Sequence, residues 1–331
     1  WMGEKLWIKN KIINALGIDA SKLMFCDHHM SHAASAFFAS PFKEAAVLTC
    51  DGVGEWTTTT LGKATSYWTG ESGTNDISLL SEQRFPHSLG LLYSVFTAWL
   101  GFRVNNGEYK VMGMSPSGTP RYMDKMEKVF HLNSNDGSFR LNMDYFSFAK
   151  SADSSFNSKF VDRWGEPRKE ESEFFTLETN PERSAEKTAI AQNQHYADVS
   201  ATIQRATEDT LIKILHHLHE MTGLDNVVMA GGVALNTKAN WRLLKETPFK
   251  DIYIQPASGD DGGALGAALW AWHVVLNKPR EWVMPHAYWG QSYNEAQIKQ
   301  TLDENGIKYE SFESNPDKLL DVVAEELTKS K

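Results

Sequence analysis

The chain of 331 residues carries a formal charge of −9 and is 41% hydrophobic, which is enough to bury a substantial core in one large unit or two lobes. The charge argues against broad electrostatic binding to nucleic acid or to an anionic membrane, so a small anionic ligand needs a dedicated cradle. Two cysteines, Cys26 and Cys50, are too few for a disulfide framework; no apolar run nears the roughly 20 residues that span a bilayer, and "WMGEKLWIKNKII" lacks a long apolar leader, so a reducing, cytoplasmic setting is expected.

In chain order, Leu6, Ile8, Ile12, Ile13 and Leu16 recur at helical spacing and predict a helix from Trp1 to Leu16, broken by "GIDASK". "DHHMSHAASAFF" reads as a second helix beginning near Asp27. "EAAVLTCDGVGEWTTTTLGKATSYWTG" reads as a β-hairpin whose first strand ends in Cys50 and Asp51. "PHSLGLLYSVFTAWLGF" is a buried or strongly amphipathic helix, and "RVNNGEYKVMGMSPSG" reads as a glycine-bearing loop. From His131 to about Ser184 the chain is polar and serine-rich, with "NDG" as a turn, and reads as a peripheral insertion, the least core-like part.

A long helix follows from Gln194 to Met221, with Val199, Ile203, Ala206, Leu211, Ile214, Leu215 and Leu218 on one side. His216, His217 and His219 near its end suit a helix C-terminus. "NVVMAGGVALNTKANWRLL" and "DIYIQPASGDDGGALGAALWAW" are two successive units of strand, Gly-rich loop and helix, which place glycine-lined backbone at one end of a sheet, where α/β proteins bind ligands. The region after Trp272 reads as a helix-and-strand connector, with "DKLLDVVAEELTKSK" as a last amphipathic helix.

His28 and His32 stand four apart, so on a helix their imidazoles share one face; His29 points about 100° away. The pair fits one metal ion, against the alternative of a hydrogen-bonded structural pair. No glutamate follows the first histidine, so metalloprotease chemistry is disfavoured. Asp51, at a strand end before "GVG", is the best acidic partner, against the alternative of a turn aspartate. Asp260 and Asp261, before paired glycines, suit a metal or metal-bound phosphate, or capping of the helix from Ala264. "AGGVALN" lets backbone approach a nucleotide, and Glu108 with Lys110 can fix a phosphate or ribose, or form a surface ion pair. Neither a P-loop nor a Rossmann fingerprint occurs.

Together, "HHMSHAASAFFASPF", "AAVLTCDGVGEWTTT", "FPHSLGLLYSVFTAWLGF", "NGEYKVMGMSP", "GGVALN" and "SGDDGGALGAAL" resemble the O-carbamoyltransferase family of nodulation-factor and antibiotic carbamoyltransferases. The resemblance implies an α/β fold of the actin, sugar kinase and heat-shock ATPase type (ribonuclease H-like, two-lobed), related to the tRNA threonylcarbamoyl-transferase subunit, with mainly the second lobe present. It divides the chain into the tail of a first lobe (1–42), a second lobe (43–275) containing the insertion at about 131–184, and a connector (276–331). It also implies flanking portions beyond this sequence: a first-lobe phosphate loop before it and an adenylate-forming domain after it, without which no complete reaction is expected.

The implied chemistry joins carbamoyl phosphate and ATP with Mg into carbamoyl-adenylate, then passes the carbamoyl group to a hydroxyl of a small-molecule acceptor beside a divalent ion, iron foremost, with zinc or manganese also suited. Carried onto this sequence, the ligands are His28, His32, Asp51 and Asp261, with Asp260 the alternative at the last position. Gly52, Val53 and Gly54 face the adenylate phosphate. Gly231, Gly232 and Asn236 form part of the adenosine site, with Glu108, Lys110 and Asp260 also near the nucleotide, and His29 is either a candidate general base or a core histidine beside the ligands. Where relatives carry Leu-Ala-Pro-Tyr-Gly, this chain has Met114, Ser115, Pro116, Ser117 and Gly118, a departure that bears on acceptor contacts. An ATP-dependent kinase or ATPase of the same fold, tRNA modification, and a nucleotide-binding scaffold are the alternative classes.

Overall fold

The computed structural model describes residues 7–329 except 152 and 171. The predicted first helix is therefore seen as α1 (Ile8–Leu16), with its opening residues outside the described part. α2 (His28–Phe37) starts immediately after Asp27, as expected, and is buried over most of its length. Its run of alanines and serines lets neighbouring backbone come close.

The hairpin forms from β1 (Glu44–Gly54) and β2 (Thr57–Thr65), paired antiparallel, and β3 (Asp76–Arg84) continues the sheet on the β2 side. On the other side β1 runs parallel to β6 (Asn226–Ala230), and β6 parallel to β7 (Asp251–Ile254), giving the order β3-β2-β1-β6-β7. "AAVLTC" and "NVVMA" are nearly continuous apolar runs because both faces of these central strands are covered. One face packs on α2 through Ala33, Phe37, Val47 and Val228. The other packs on α3 (Leu89–Trp99) and the long α7 (Lys187–Thr222), through Leu48, Leu92, Phe96, Ile203 and Met229. This is the α/β architecture that the family resemblance leads one to expect, built around one sheet.

Several elements differ from expectation. "NGEYKVMGM" is helical, α4 (Glu108–Met114), followed by a single tight turn at Ser115–Ser117; its two glycines misled the loop reading, since Gly107 only precedes the helix and Gly113 is tolerated inside it. α5 (Met123–Val129) leads into a small hairpin of β4 (Phe130–Leu132) and β5 (Phe139–Leu141), and α6 (Ser158–Trp164) follows. The polar segment is not peripheral: Phe139, Leu141, Phe146, Phe160 and Trp164 are buried in the same core as α3 and α7. Its aromatic residues are spaced irregularly between serines, so composition concealed their packing.

α7 begins seven residues before the predicted Gln194. α8 (Thr237–Glu246) and α9 (Gly263–Leu269) complete the two strand-loop-helix units, and a turn of π-helix at Trp270–Val275 extends α9. Residues up to Met284 form one compact unit and those from Pro285 a second. The second unit holds α10 (Glu295–Glu304), closed by a capping box at Asn294 and Gln297, and α11 (Pro316–Thr328); the expected strand is absent among the described residues.

Candidate metal centre

The parallel part of the sheet decides where the site lies. β1, β6 and β7 point the same way, so their carboxyl ends carry Asp51, Gly231 and the Gly259–Asp261 turn to one edge. Ligands of open α/β sheets gather at this edge. The ladder of β1 with β6 ends at Thr49 and Ala230, and that of β1 with β2 slips between Cys50 and Gly54, which frees Asp51 from regular pairing. The N-terminal turn of α2 stands against the same edge.

Four side chains converge there: His28, His32, Asp51 and Asp260, with one ligand atom of each within 4.8 Å of the others. His28 Nε2 lies 3.0 Å from His32 Nε2 and 3.0 Å from Asp51 Oδ2. Asp260 Oδ1 is 3.4 Å from His28 Nε2 and 3.6 Å from His32 Nε2. The helical spacing thus brings the two imidazoles together as expected, and Asp51 joins them. Asp260 stands with them, whereas Asp261 is not part of this group. In the tight turn at Asp260–Gly262 successive side chains diverge, and Asp261 turns its Oδ1 back toward Gly259.

The donor set passes a physical test for a cation. His28 Nε2 lies 3.0 Å from both His32 Nε2 and Asp51 Oδ2, and the one proton it can carry serves only one of these two contacts, while two carboxylates close the remaining sides. Nitrogen and oxygen donors of this kind suit iron, zinc or manganese. Burial would raise the Asp51 carboxyl, but hydrogen bonds to His28, His32 and the Gly232 amide outweigh it and hold the group well below the carboxylate range, so Asp51 is an anion throughout neutral pH. The bond to Asp51 raises His28 against the opposing effect of burial.

Glycine shapes the walls. A Cβ on Gly54 would lie 2.1 Å from the His28 ring, so only glycine lets that imidazole occupy its place. Gly231, at φ 94°, would meet the Cys50 carbonyl at 2.2 Å if it carried a side chain. The Gly232 N–H donates to Asp51 Oδ1 at 2.9 Å, and the Gly231 N–H to Ser258 O at 2.8 Å. These two amides therefore orient the centre and its loop.

Other predicted residues have different surroundings. His29 is buried, and both its nitrogens are engaged: Nε2–H donates to Thr57 O at 2.9 Å, so Nδ1 accepts from the Thr49 hydroxyl at 2.6 Å. Thr49 Oγ1 in turn lies 2.6 Å from Thr60 Oγ1. Burial pushes His29 down to about 4. In that geometry His29 stands as a neutral strut between α2 and the sheet with both ring nitrogens engaged, in line with the core-histidine reading. Gly52 O accepts from Ser88 Oγ at 2.6 Å, Val53 is exposed and Gly54 touches His28. Glu108 accepts from Ser94 Oγ at 2.9 Å and from the Asn105 N–H at 3.0 Å; Lys110 lies over the Phe102 ring, so the two serve the packing of α4.

Asn236 caps α8 through the Ala239 N–H and exchanges two amide bonds of 2.9 Å with Gln204 of α7. Gln204 and Ser88 escaped the sequence reading. Ser88 had a signal, a serine just before an apolar helix, and it does cap α3 through the Leu91 N–H. Gln204 had none, being one polar residue in a helix read for its apolar stripe.

The family profile described as Carbamoyltransferase N-terminus matches residues 1–269. The chain belongs to the carbamoyltransferase family. An uncharacterised Synechocystis protein is 44% identical over 314 residues, which is 91% of this chain and 47% of the relative. Nodulation protein NolNO of Sinorhizobium fredii is 34% identical over 293 residues, 87% of this chain and 37% of its own length. The chain thus spans less than half the length of these curated relatives. Among solved structures, HypF of T. kodakarensis is similar over 79% of this chain and 38% of its own, at 15% identity and a TM-score of 0.36.

Proposed function

We propose that this chain supplies the transfer site of an ATP-dependent O-carbamoyltransferase. Water releases inorganic phosphate from carbamoyl phosphate, the carbamate oxygen bonds to the α-phosphorus of ATP as pyrophosphate leaves, and the carbamoyl group of the resulting carbamoyl-adenylate passes to a hydroxyl of a small-molecule acceptor. In that step the acceptor oxygen forms the new bond to the carbamoyl carbon, the bond from that carbon to the adenylate oxygen breaks, AMP leaves, and the hydroxyl proton passes to solvent. The observation that carries the reading is the convergence of His28, His32, Asp51 and Asp260 at the carboxyl edge of the sheet, in a chain of the carbamoyltransferase family.

These four residues hold the divalent ion, with Asp51 the fixed anion among them. When bound, the ion supplies Lewis-acid stabilisation to charge developing on oxygen. Gly52, Val53 and Gly54 present backbone beside the centre, and Ser88 fixes that loop by donating to the Gly52 carbonyl. Gly231 and Gly232, whose amides are already used within the protein, serve the nucleotide by close approach of a backbone without side chains. His29, neutral and doubly bonded, keeps the face of α2 turned toward Asp51.

In the intact protein, Asp51→Ala is expected to lower metal content at least about tenfold and to abolish transfer from supplied carbamoyl-adenylate. Unchanged metal content together with unchanged transfer sinks the assignment. ADP in place of AMP as product favours a kinase or ATPase of the same fold.

A further inference from the structure

A cavity of about 560 Å³ lies between the turn after β3 and the β4–β5 hairpin, a size that accommodates a small organic ligand. Leu132 and Phe139 give it an apolar floor, and Gln83, His87, His131 and Arg140 contribute polar groups. Among the described residues no carboxylate lines it, in a chain with 42 acidic residues against 33 basic ones. The carboxylates nearest in sequence are already engaged, Glu82 by the Thr57 hydroxyl at 2.7 Å and Arg84 Nε at 2.6 Å, and Asp136 by the N–H and hydroxyl of Ser138 at 2.8 and 2.7 Å.

The protonation of His87 follows from its partner. Its Nδ1 accepts the Leu141 N–H at 3.2 Å, so in the neutral ring the proton is on Nε2 and that nitrogen is a donor. Burial and then the charge of Arg140 hold the imidazole below its ordinary range and keep it neutral. The Arg140 guanidinium is a donor only, with a planar fork suited to phosphoryl oxygens.

We propose that this cavity is an anion-binding site for an organic phosphomonoester, whose phosphoryl oxygens accept from Arg140 and His87 Nε2–H while its apolar substituent lies on Leu132 and Phe139. The cavity is joined to the metal centre through a short stretch of chain. The His87 carbonyl accepts from Thr58 Oγ1 at 2.7 Å, next to the Thr57 carbonyl that holds His29. Ser88, the following residue, bonds the Gly52 carbonyl beside Asp51. A ligand on His87 therefore rests on the turn that braces the metal-binding loop.

The test uses phenyl phosphate and, as an uncharged counterpart, phenyl glucoside, titrated into the whole chain by calorimetry and by NMR of the histidine rings. The expected result is saturable binding of phenyl phosphate that weakens about tenfold or more in Arg140→Gln and weakens with added salt. Binding is expected to persist in Asp51→Ala, which separates this site from the metal centre and from the proposed transfer reaction. His131→Gln tests the rim in the same way, and because both Arg140 and His131 are exposed, neither substitution threatens the fold. Equal binding of phenyl glucoside, retention of full phenyl phosphate affinity in Arg140→Gln, or its loss in Asp51→Ala overturns the proposal.

Discussion

Two adjacent carboxylates separate the geometry of this centre from its sequence pattern. Asp260 and Asp261 are chemically identical, and a carry-over by position selects Asp261; the tight turn aims Asp260 at the two imidazoles and Asp261 back at Gly259. Asp260→Ala is accordingly expected to weaken metal binding about tenfold or more, while Asp261→Ala leaves it within about twofold; metal content after dialysis against a graded chelator measures both. The reverse order would show that the turn is differently arranged when the ion is bound. His29 gives the contrasting case of a buried imidazole among ligands that is itself structural. In His29→Gln the folded protein is expected to keep its metal stoichiometry and lose about 1–3 kcal/mol of stability in urea unfolding, because Thr57 O and Thr49 Oγ1 lose well-placed partners in the interior.

At the scale of elements, the centre depends on how closely α9 lies against α2. A Cβ on Gly266 would fall 1.8 Å from the Ser31 carbonyl, so only glycine permits this crossing. Gly266→Ala must push α9 off α2, and with it the turn bearing Asp260, away from His28 and His32. Metal affinity is expected to fall about tenfold along with melting temperature. Gly113→Ala is the control, since its Cβ meets nothing within 4 Å inside α4 and a helical alanine is favoured by about 0.5–1 kcal/mol. The far end of α2 is fixed by Arg280, a fully buried guanidinium that donates to the carbonyls of Phe38, Ser40 and Phe42 and to Ser66 Oγ, and that lies over the Trp68 ring. Burial lowers it to about 10, which still leaves it charged at neutral pH, and its position past the helix C-terminus suits a cation. Arg280→Met strands these acceptors in the interior and is expected to cost about 3 kcal/mol or more in urea unfolding, with Arg280→Lys recovering part of it; a loss below about 1 kcal/mol in Arg280→Met would refute the clamp.

Over the whole molecule, legibility followed the periodicity of burial. Strands covered on both faces, the small-residue helix with its histidines at four-residue spacing, and the two Gly-rich strand ends could all be read, because each leaves a local pattern. The core role of the segment holding Phe146, Phe160 and Trp164 could not, since isolated aromatics among serines have no period and their partners lie far along the chain. Nor could the choice of Asp260, which depends on one turn. The same criterion separates the two units. Those residues up to Met284 hold every buried apolar side chain among the described residues, whereas none from Pro285 onward is buried. Helices of 10 and 13 residues without burial are marginal in water, because nucleation costs more than a few turns return. In this chain, amides of α10 and α11 are therefore expected to exchange with deuterium through local opening, at low protection, while those of Val47, Leu48 and Val228 exchange only with global unfolding. Removing 285–331 is expected to shift the melting temperature of the first unit by no more than about 3 °C and to leave its metal content unchanged. Protection in α11 equal to that of β1, or a loss of more than about 10 °C on truncation, would mean that the last 47 residues fold as part of one cooperative structure with the metal-binding unit.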